Sequence, residues 1–430
     1  MRISCIGTGY VGLVTGSSLA NLGHSVLCAD IDAQKVLQLQ QGTISFYEPG
    51  LQELMDRNVE KNRLRFTSSV KEALQHGEVI FICVGTPSQP HGAADLSAVY
   101  AVVDAAGIHI RNPCVLVLKS TVPPGSAREC TKRLLQSGSP ILIASNPEFL
   151  KQGNAVYDFN HPDKIVVGAE SDVALSALRK VYQGLQKTYI PYLEMSWETA
   201  ELVKYANNAF LATKISFINE IANICERTHA DIKIVAKALG MDPRIGPKFL
   251  NAGIGYGGSC FPKDVRALIT AAQDAGYDPR LLKEAHALNE RQKEVLVPKI
   301  FKTLKEVGGD TVTLWGLSFK PKTSDLRGAS SLVLIEKLTN IGYNIKAYDP
   351  AAMDEAKKNI FDHVEYCSCV EESVQGSSAI VLVTEWDEFR NVNFADLGKR
   401  MKHKILFDGR NIYDPEFLRQ EGFDYYGVGR

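Results

Sequence analysis

The feature that most constrains this chain stands at its start. An apolar run, ISCI, enters Gly7-Thr8-Gly9-Tyr10-Val11-Gly12, a helix-like stretch follows, and a second apolar run, SVLCAD, ends on Asp30. A strand, a glycine turn, a helix and a second strand in this order make a right-handed βαβ unit with its two strands parallel. In such a unit the glycines permit a tight turn and let backbone N–H groups approach a pyrophosphate at the helix N-terminus, while the acid takes a ribose hydroxyl. The spacing therefore predicts a dinucleotide site built from Gly7, Gly9, Tyr10, Val11, Gly12 and Asp30. A merely structural glycine turn is the plain alternative. An acid at Asp30 repels a 2′-phosphate, which favours NAD over NADP; Asp32 is a second candidate for that role.

The alternation continues through EVIFICV, CVLVLKS, ILIAS and KIVVGA to about Ala169, which predicts a mainly parallel sheet. No Gly or Pro then occurs between Pro191 and Gly240, and apolar residues recur at helical spacing through ETAELVKYANNAFLATKISFINEIANICERTHA. About 30 residues at 1.5 Å each make a helix of roughly 45 Å, long enough to serve as a spine. A glycine-dense segment, NAGIGYGGSCFPKD, precedes more helix to about Lys299, and strand patterns return from Thr311 in TVTLWGL, NIKAYDP, SAIVLVTEW and KILFDGR. The chain thus reads as α/β: an N-terminal Rossmann-type dinucleotide-binding domain over 1–195, a central helical domain over 196–300, and a C-terminal Rossmann-like α/β domain over 301–430. The two α/β parts share a plan.

Composition narrows the function. The 430 residues suffice for two or three domains, and 45% hydrophobic with 23% charged residues are ordinary globular values. A formal net charge of −1 gives nucleic acid or an anionic membrane nothing to hold, so neither is expected as a partner. Nine scattered cysteines without a CxxC pair read as thiols in a reducing compartment, and no run of 18 apolar residues occurs. A cytoplasmic, soluble protein is expected. Cys367 and Cys369 lack the further ligands that a metal site needs, so no metal is expected.

Four groups of residues carry candidate chemistry. Cys260 lies in Gly255-Tyr256-Gly257-Gly258-Ser259-Cys260, with Lys263 and Asp264 beyond it. Glycines crowded round one thiol suggest a backbone wrapped closely round a ligand rather than packed on a core, with Cys260 as nucleophile. A buried, inert thiol is the alternative. Lys204 and Asn208, four apart, share one helix face, either as site residues or as a solvated stripe. Glu148 follows the strand ILIAS, at the end where α/β sheets place ligand-binding residues, and it competes with an exposed loop carboxylate. Thr86 and Thr121 follow the strands FICV and VLVLKS at the same sheet edge.

Taken together, GTGYVGL, NPEFLKQGNAVYDFNHPDKIVVG, ELVKYANNAFLATKISFINEIA, RIGPKFLNAGIGYGGSCFPKD, GLSFKPKTSDLRGASS and YDP resemble the UDP-glucose/GDP-mannose dehydrogenase family from residue 1 to about 413. The resemblance implies oxidation of the C6 alcohol of a nucleotide sugar to a carboxylate, with two hydrides passed in turn to NAD. Ser259 and Phe261 point to UDP-glucose rather than an acetamido sugar. By resemblance Cys260 is the nucleophile that captures the aldehyde, Lys204 and Asn208 are donors to the reacting oxygen, and Asp264 positions a water or accepts the proton. Glu148 is the base for thioester hydrolysis, and Thr121 helps to hold the water.

The resemblance extends the cofactor contacts to Lys35, Thr86, Thr121, Glu148, Lys263 and Arg327. For the substrate it implies Glu148, Phe149, Leu150, Lys151, Lys204, Asn208, Phe249, Leu250, Asn251, Tyr256, Gly257 and Lys320, the last from a C-terminal UDP-sugar-binding domain. Arg244 would reach a sugar hydroxyl in a neighbouring subunit, so a homodimer, or a higher homo-oligomer, with shared sites is implied, and the helical region 196–300 is its dimerisation region. GDP-mannose oxidation by the same mechanism is the near rival. A non-catalytic dinucleotide sensor is the distant one, and it has no use for Lys204, Asn208, Cys260 and Asp264 together.

Overall fold

The computed structural model describes residues 1–186, 189–359 and 363–430. The chain forms two compact units, one of Met1–Asn207 with Arg266–Tyr277 and one of Asn208–Val265 with Asp278–Arg430. The long helix expected after residue 195 is a single element, Trp197–Thr228, of 32 residues. Its residues to Asn207 group with the first unit and the remainder with the second.

The first unit is built on eight strands: β1 (Arg2–Ile6), β2 (Ser25–Ala29), β3 (Leu64–Thr67), β4 (Val79–Ile82), β5 (Cys114–Leu118), β6 (Ile141–Ser145), β7 (Ile165–Gly168) and β8 (Tyr192–Met195). Their order is β3-β2-β1-β4-β5-β6-β7-β8. Every pair is parallel except β6 with β7, which meet antiparallel at Ser145 and Gly168. Strands of a parallel sheet are covered on both faces, and the apolar runs of the sequence serve that need. Val79, Phe81, Val115 and Val117 pack into one core, whereas Ile80, Ile82, Leu116 and Leu118 pack into the other. The strand order reverses direction between β1 and β4, so the carboxyl ends there flank a crevice suited to a ligand.

The second unit repeats the plan. Its strands β9 (Thr311–Trp315), β10 (Asn344–Tyr348), β11 (Val364–Tyr366), β12 (Ala379–Leu382), β13 (Ile405–Asp408) and β14 (Asp424–Tyr426) form an all-parallel sheet ordered β11-β10-β9-β12-β13-β14. Beside this sheet, Ile218, Ala222 and Cys225 of the long helix join a core with Leu250, Ile254, Leu296, Ile300 and Leu304. Trp315 is fully buried and stacks on Phe389, ring centroids 5.2 Å apart. Removing so large a buried ring costs about 3–5 kcal/mol. Trp315→Ala is therefore expected to lower the midpoint of guanidinium unfolding followed by fluorescence, and an unchanged midpoint would contradict this packing.

Candidate active site

The glycine turn has a distinct reason for each glycine. Gly7 holds φ +97°, and a Cβ there would stand 2.8 Å from the Cys83 carbonyl oxygen. A Cβ on Gly12 would stand 1.8 Å from the Gly7 oxygen, so helix Tyr10–Asn21 can leave the turn only from a glycine. A Cβ on Gly9 would meet nothing within 4 Å and would project into the open space that a pyrophosphate needs. Val11 follows, half-buried, in the helix that begins at Tyr10.

Asp30, just past β2, accepts from the Thr8 N–H (2.8 Å), the Thr8 hydroxyl (2.7 Å) and Lys35 Nζ (3.1 Å), all on one oxygen. Its other oxygen takes the Asp32 N–H at 3.2 Å. Burial alone would raise the Asp30 carboxyl, but the Thr8 donors, the Asp32 N–H and Lys35 hold it below its usual range. Asp32 instead caps helix Ala33–Gln40 through the N–H groups of Gln34 and Lys35.

The corresponding acid of the second unit, Asp349 after β10, has a different use. It is buried and accepts from the Leu317 and Ser318 N–H groups, the Ser318 hydroxyl, Trp386 Nε1 and the N–H groups of Ala351 and Ala352. Asp349 therefore braces its own turn, whereas Asp30 keeps an oxygen with a single long contact. The glycine-turn observations fit a dinucleotide on the first unit.

At the carboxyl ends of β5 and β6 lies a buried ion pair. Lys204 Nζ, from the long helix, donates to Glu148 Oε1 at 2.8 Å, and the two side chains are only 4% and 5% exposed. The Leu150 N–H donates to Glu148 Oε2 at 2.6 Å. Burial pushes the Glu148 carboxyl up; the Lys204 charge and hydrogen bond, the Leu150 N–H and the Lys119 charge outweigh it and hold Glu148 below the ordinary range. Lys119 is buried beside Asn146, and burial lowers it to about 8. Thr121, whose carbonyl accepts from the Thr86 hydroxyl at 3.0 Å, lines a small hollow with Pro147, Glu201 and Lys204.

Neither Lys119 nor Glu201 stood out in the sequence. Glu201 shows a signal after the fact, because residues 201, 204 and 208 fall on one face of the long helix. It accepts from the N–H groups of Gly125 and Ala127, at 2.7 and 2.8 Å, and so fixes the loop that carries Thr121. Phe149 lies under Lys164 Nζ, 4.5 Å from the ring centroid, Leu150 is half-buried, and Lys151 pairs with Asp158 at 3.1 Å.

The second unit holds the thiol. Cys260 directly precedes helix Phe261–Asp274, and its carbonyl accepts from the Asp264 N–H at 2.8 Å. Asp264 is 1% exposed and accepts from Asn208 Nδ2 at 2.7 Å and Lys263 Nζ at 2.6 Å. Arg327 pairs with Asp325 at 2.7 Å, and its charge also acts on Cys260.

The glycines beside Cys260 also have a packing reason, for their Cβ sides face protein. A Cβ on Gly257 would stand 2.3 Å from the Gly328 oxygen, and one on Gly258, at φ +88°, would stand 2.7 Å from the Phe319 ring. Their smallness lets the thiol loop lie against residues 319–329, where the Gly258 N–H donates to the Arg327 carbonyl at 2.7 Å.

Around this loop Phe249 adopts φ +65°, Leu250 is buried and Asn251 is exposed. Tyr256 is buried edge-on to Phe261 at 5.8 Å, and Lys320 sits 5.5 Å from the Phe319 ring centroid. The Arg244 side chain is 88% exposed and pairs with Asp242.

A parallel sheet with a glycine turn, an acid at the end of the second strand and a buried lysine–carboxylate pair fits a dinucleotide-dependent dehydrogenase. The chain belongs to the UDP-glucose/GDP-mannose dehydrogenase family: its NAD binding domain model matches residues 1–186, its central domain 198–291 and its UDP binding domain 313–415. The chain is thus an oxidoreductase that uses NAD. It is 44% identical to UDP-glucose 6-dehydrogenase YwqF of Bacillus subtilis, over 100% of this chain and 98% of that one. It is also 44% identical to UDP-glucose 6-dehydrogenase of Pseudomonas aeruginosa, with the same coverage. Among solved structures, a UDP-glucose dehydrogenase from Pyrobaculum islandicum superposes with a TM-score of 0.92 at 35% identity, covering 100% of this chain and 98% of that chain.

The ion pair gives a test with a defined sign. In the intact protein the folded Glu148 carboxyl lies below its unfolded value, so its stabilisation is present above that value and is lost as pH falls through the folded one. Lys204→Met leaves the carboxylate buried without its main counter-charge, a loss of about 3–5 kcal/mol at pH 8. Burial then raises the carboxyl and Glu148 takes up a proton as pH falls. Denaturant unfolding of this variant should show the deficit narrowing from pH 8 to pH 5, and an equal deficit at both would contradict the assignment.

Proposed function

We propose that the chain oxidises UDP-glucose at C6 to UDP-glucuronate with two NAD, consuming one water and releasing two NADH and three protons. The observation that carries this reading is the thiol of Cys260 at a helix N-terminus, with Asn208, Lys263 and Asp264 bonded together one turn beyond it. A helix N-terminus favours an anionic sulfur, and Arg327 adds positive charge. NAD supplies a hydride acceptor in both oxidations, held by Gly7, Gly9, Tyr10, Val11, Gly12, Asp30 and Lys35, with Thr86, Thr121, Glu148, Lys263 and Arg327.

In the first oxidation O6 loses a proton as C6 loses a hydride, so the oxygen needs fixed donors. Lys204 donates to Glu148 and Asn208 to Asp264, so an ammonium and an amide donor stand on the same helix, four residues apart. We assign both to O6, and the proton to Asp264 or to a water that it holds. In the second stage the Cys260 thiolate adds to the aldehyde carbon, and the thiohemiacetal formed loses hydride and proton to become a thioester. Glu148, with Thr121, takes a proton from the water that attacks this thioester, and the carboxylate departs as the C–S bond breaks. A depressed carboxyl keeps Glu148 ionised for that role.

For the sugar nucleotide we assign Glu148, Phe149, Leu150, Lys151, Lys204, Asn208, Phe249, Leu250, Asn251, Tyr256, Gly257 and Lys320. The proposed domains are 1–195 for NAD, 196–300 for the helical centre and 301–430 for the UDP part. We also propose a homodimer, with Arg244 contributing to the partner's site. Its support is a stripe of Phe210, Phe217 and Ile224, spaced by seven on the long helix and 66%, 49% and 51% exposed, together with an arginine whose side chain is 88% exposed. Nine cysteines, all thiols, suit the reducing cytoplasm.

Cys260→Ser tests the nucleophile. It should bind UDP-glucose and NADH as the intact enzyme does, yet lower steady-state UDP-glucuronate formation by about 10³ or more, on the scale of other lost nucleophiles. Full-rate product formation by this variant would refute the covalent step. GDP-mannose and UDP-N-acetylglucosamine in the same assay should give no NADH, and faster turnover of either would reassign the substrate.

A further inference from the structure

Glu48 lies in the loop between helices Ala33–Gln40 and Leu51–Glu60, a place where a glutamate is normally solvated, yet it is only 6% exposed. A buried carboxylate needs several donors to offset its lost hydration. Glu48 takes them from two segments that serve different ligands. Its Oε2 accepts from the Tyr10 hydroxyl and from the Gly153 N–H at 2.6 Å, and its Oε1 accepts from the Ala155 N–H at 2.7 Å.

Tyr10 is the first residue of the helix that leaves the glycine turn, so its side chain is anchored to the cofactor loop. Gly153 and Ala155 follow residues 149–151 directly and fix where that segment runs. Two further contacts bind the same groups together. The Tyr10 ring packs on Phe46, centroids 5.5 Å apart, and the Tyr10 hydroxyl lies 3.3 Å from the Lys151 carbonyl. Gly153 turns at φ +79°, which lets its N–H face Glu48. Burial, and then the hydrogen bond to Glu48 and its charge, raise the Tyr10 phenol far above its ordinary range, so it remains an O–H donor.

We propose that Glu48 is a positioning residue that couples the two ligand loops, so that a cofactor settling on the glycine turn, through Tyr10, orders residues 149–155 for the sugar nucleotide. The inference rests on the reading of residues 149–151 as substrate contacts. Glu48 acts here through Tyr10, Gly153 and Ala155. The segment SFYEPG belongs to no motif assigned a function, and its glutamate joins both loops. Coupling of this kind is reciprocal: whatever factor the cofactor adds to sugar-nucleotide affinity, the sugar nucleotide adds to cofactor affinity.

The test is isothermal titration of UDP-glucose into the full-length protein, with and without saturating NADH, which permits no turnover. In the intact protein NADH should tighten UDP-glucose by about fivefold or more, the low end of measured couplings. Glu48→Gln keeps the shape but loses the charge and puts an amide donor against the N–H groups it must accept from. It should cut the coupling below twofold and raise KM for UDP-glucose with little change in kcat. Tyr10→Phe, which removes only the hydroxyl, should lower the coupling as well and serves if Glu48→Gln does not fold. A purely structural anchor would lower the melting temperature and leave coupling and KM alone, and that result would overturn the proposal. Intact protein that binds NADH but not UDP-glucose would instead overturn the substrate reading, and this inference with it.

Discussion

The buried ion pair of Lys204 and Glu148 is the constraint on which the site depends. Neither charge is tolerable at that depth alone: their positions, one on the long helix and one at the end of β6, must be held to within a hydrogen bond. The parallel sheet supplies that precision by fixing the carboxyl ends of β4, β5 and β6 along one edge. Glu201, one turn before Lys204, ties the same helix to the loop after β5. The Lys204 charge in turn holds the Glu148 carboxyl below its ordinary range, so the carboxylate stays ionised; in the proposed reaction the pair serves O6 and the hydrolytic water. A structural device and a chemical one are therefore the same pair of residues.

The two sheets show how one plan is put to two uses. Both place an acid at the end of the second strand, Asp30 in the first unit and Asp349 in the second. Six donors surround Asp349, including the Trp386 indole, and they make it part of a turn. Asp30 has its donors concentrated on one oxygen and retains capacity on the other. Strand order alone does not tell a dinucleotide site from its structural copy; the state of this acid does.

Much of this was legible in the sequence, for definite reasons. Short apolar runs marked the central strands, and a stretch without Gly or Pro marked the long helix, because those signals come from burial within a single element. The edge strands β3, β8, β11 and β14 left no comparable trace: they are three or four residues long and partly exposed. Cys260, Asn208 and Asp264 were found by motif and spacing. Glu48, Lys119 and Glu201 were not, since each is explained only by partners far along the chain that appear once the fold is made. The glycines at 257 and 258 stood out in the sequence, but the packing need they meet, against Gly328 and Phe319, did not, because those partners lie about 60–70 residues further along the chain.

The central claim is that one active site carries an alcohol through to a carboxylate by way of a thiol. Its most direct test is the number of NADH formed per UDP-glucose consumed, followed by absorbance with the sugar nucleotide limiting and NAD in excess. The account predicts two, with no free aldehyde trapped by a carbonyl reagent. A value of one, with the aldehyde accumulating, would show a simple alcohol dehydrogenase in which Cys260 takes no part.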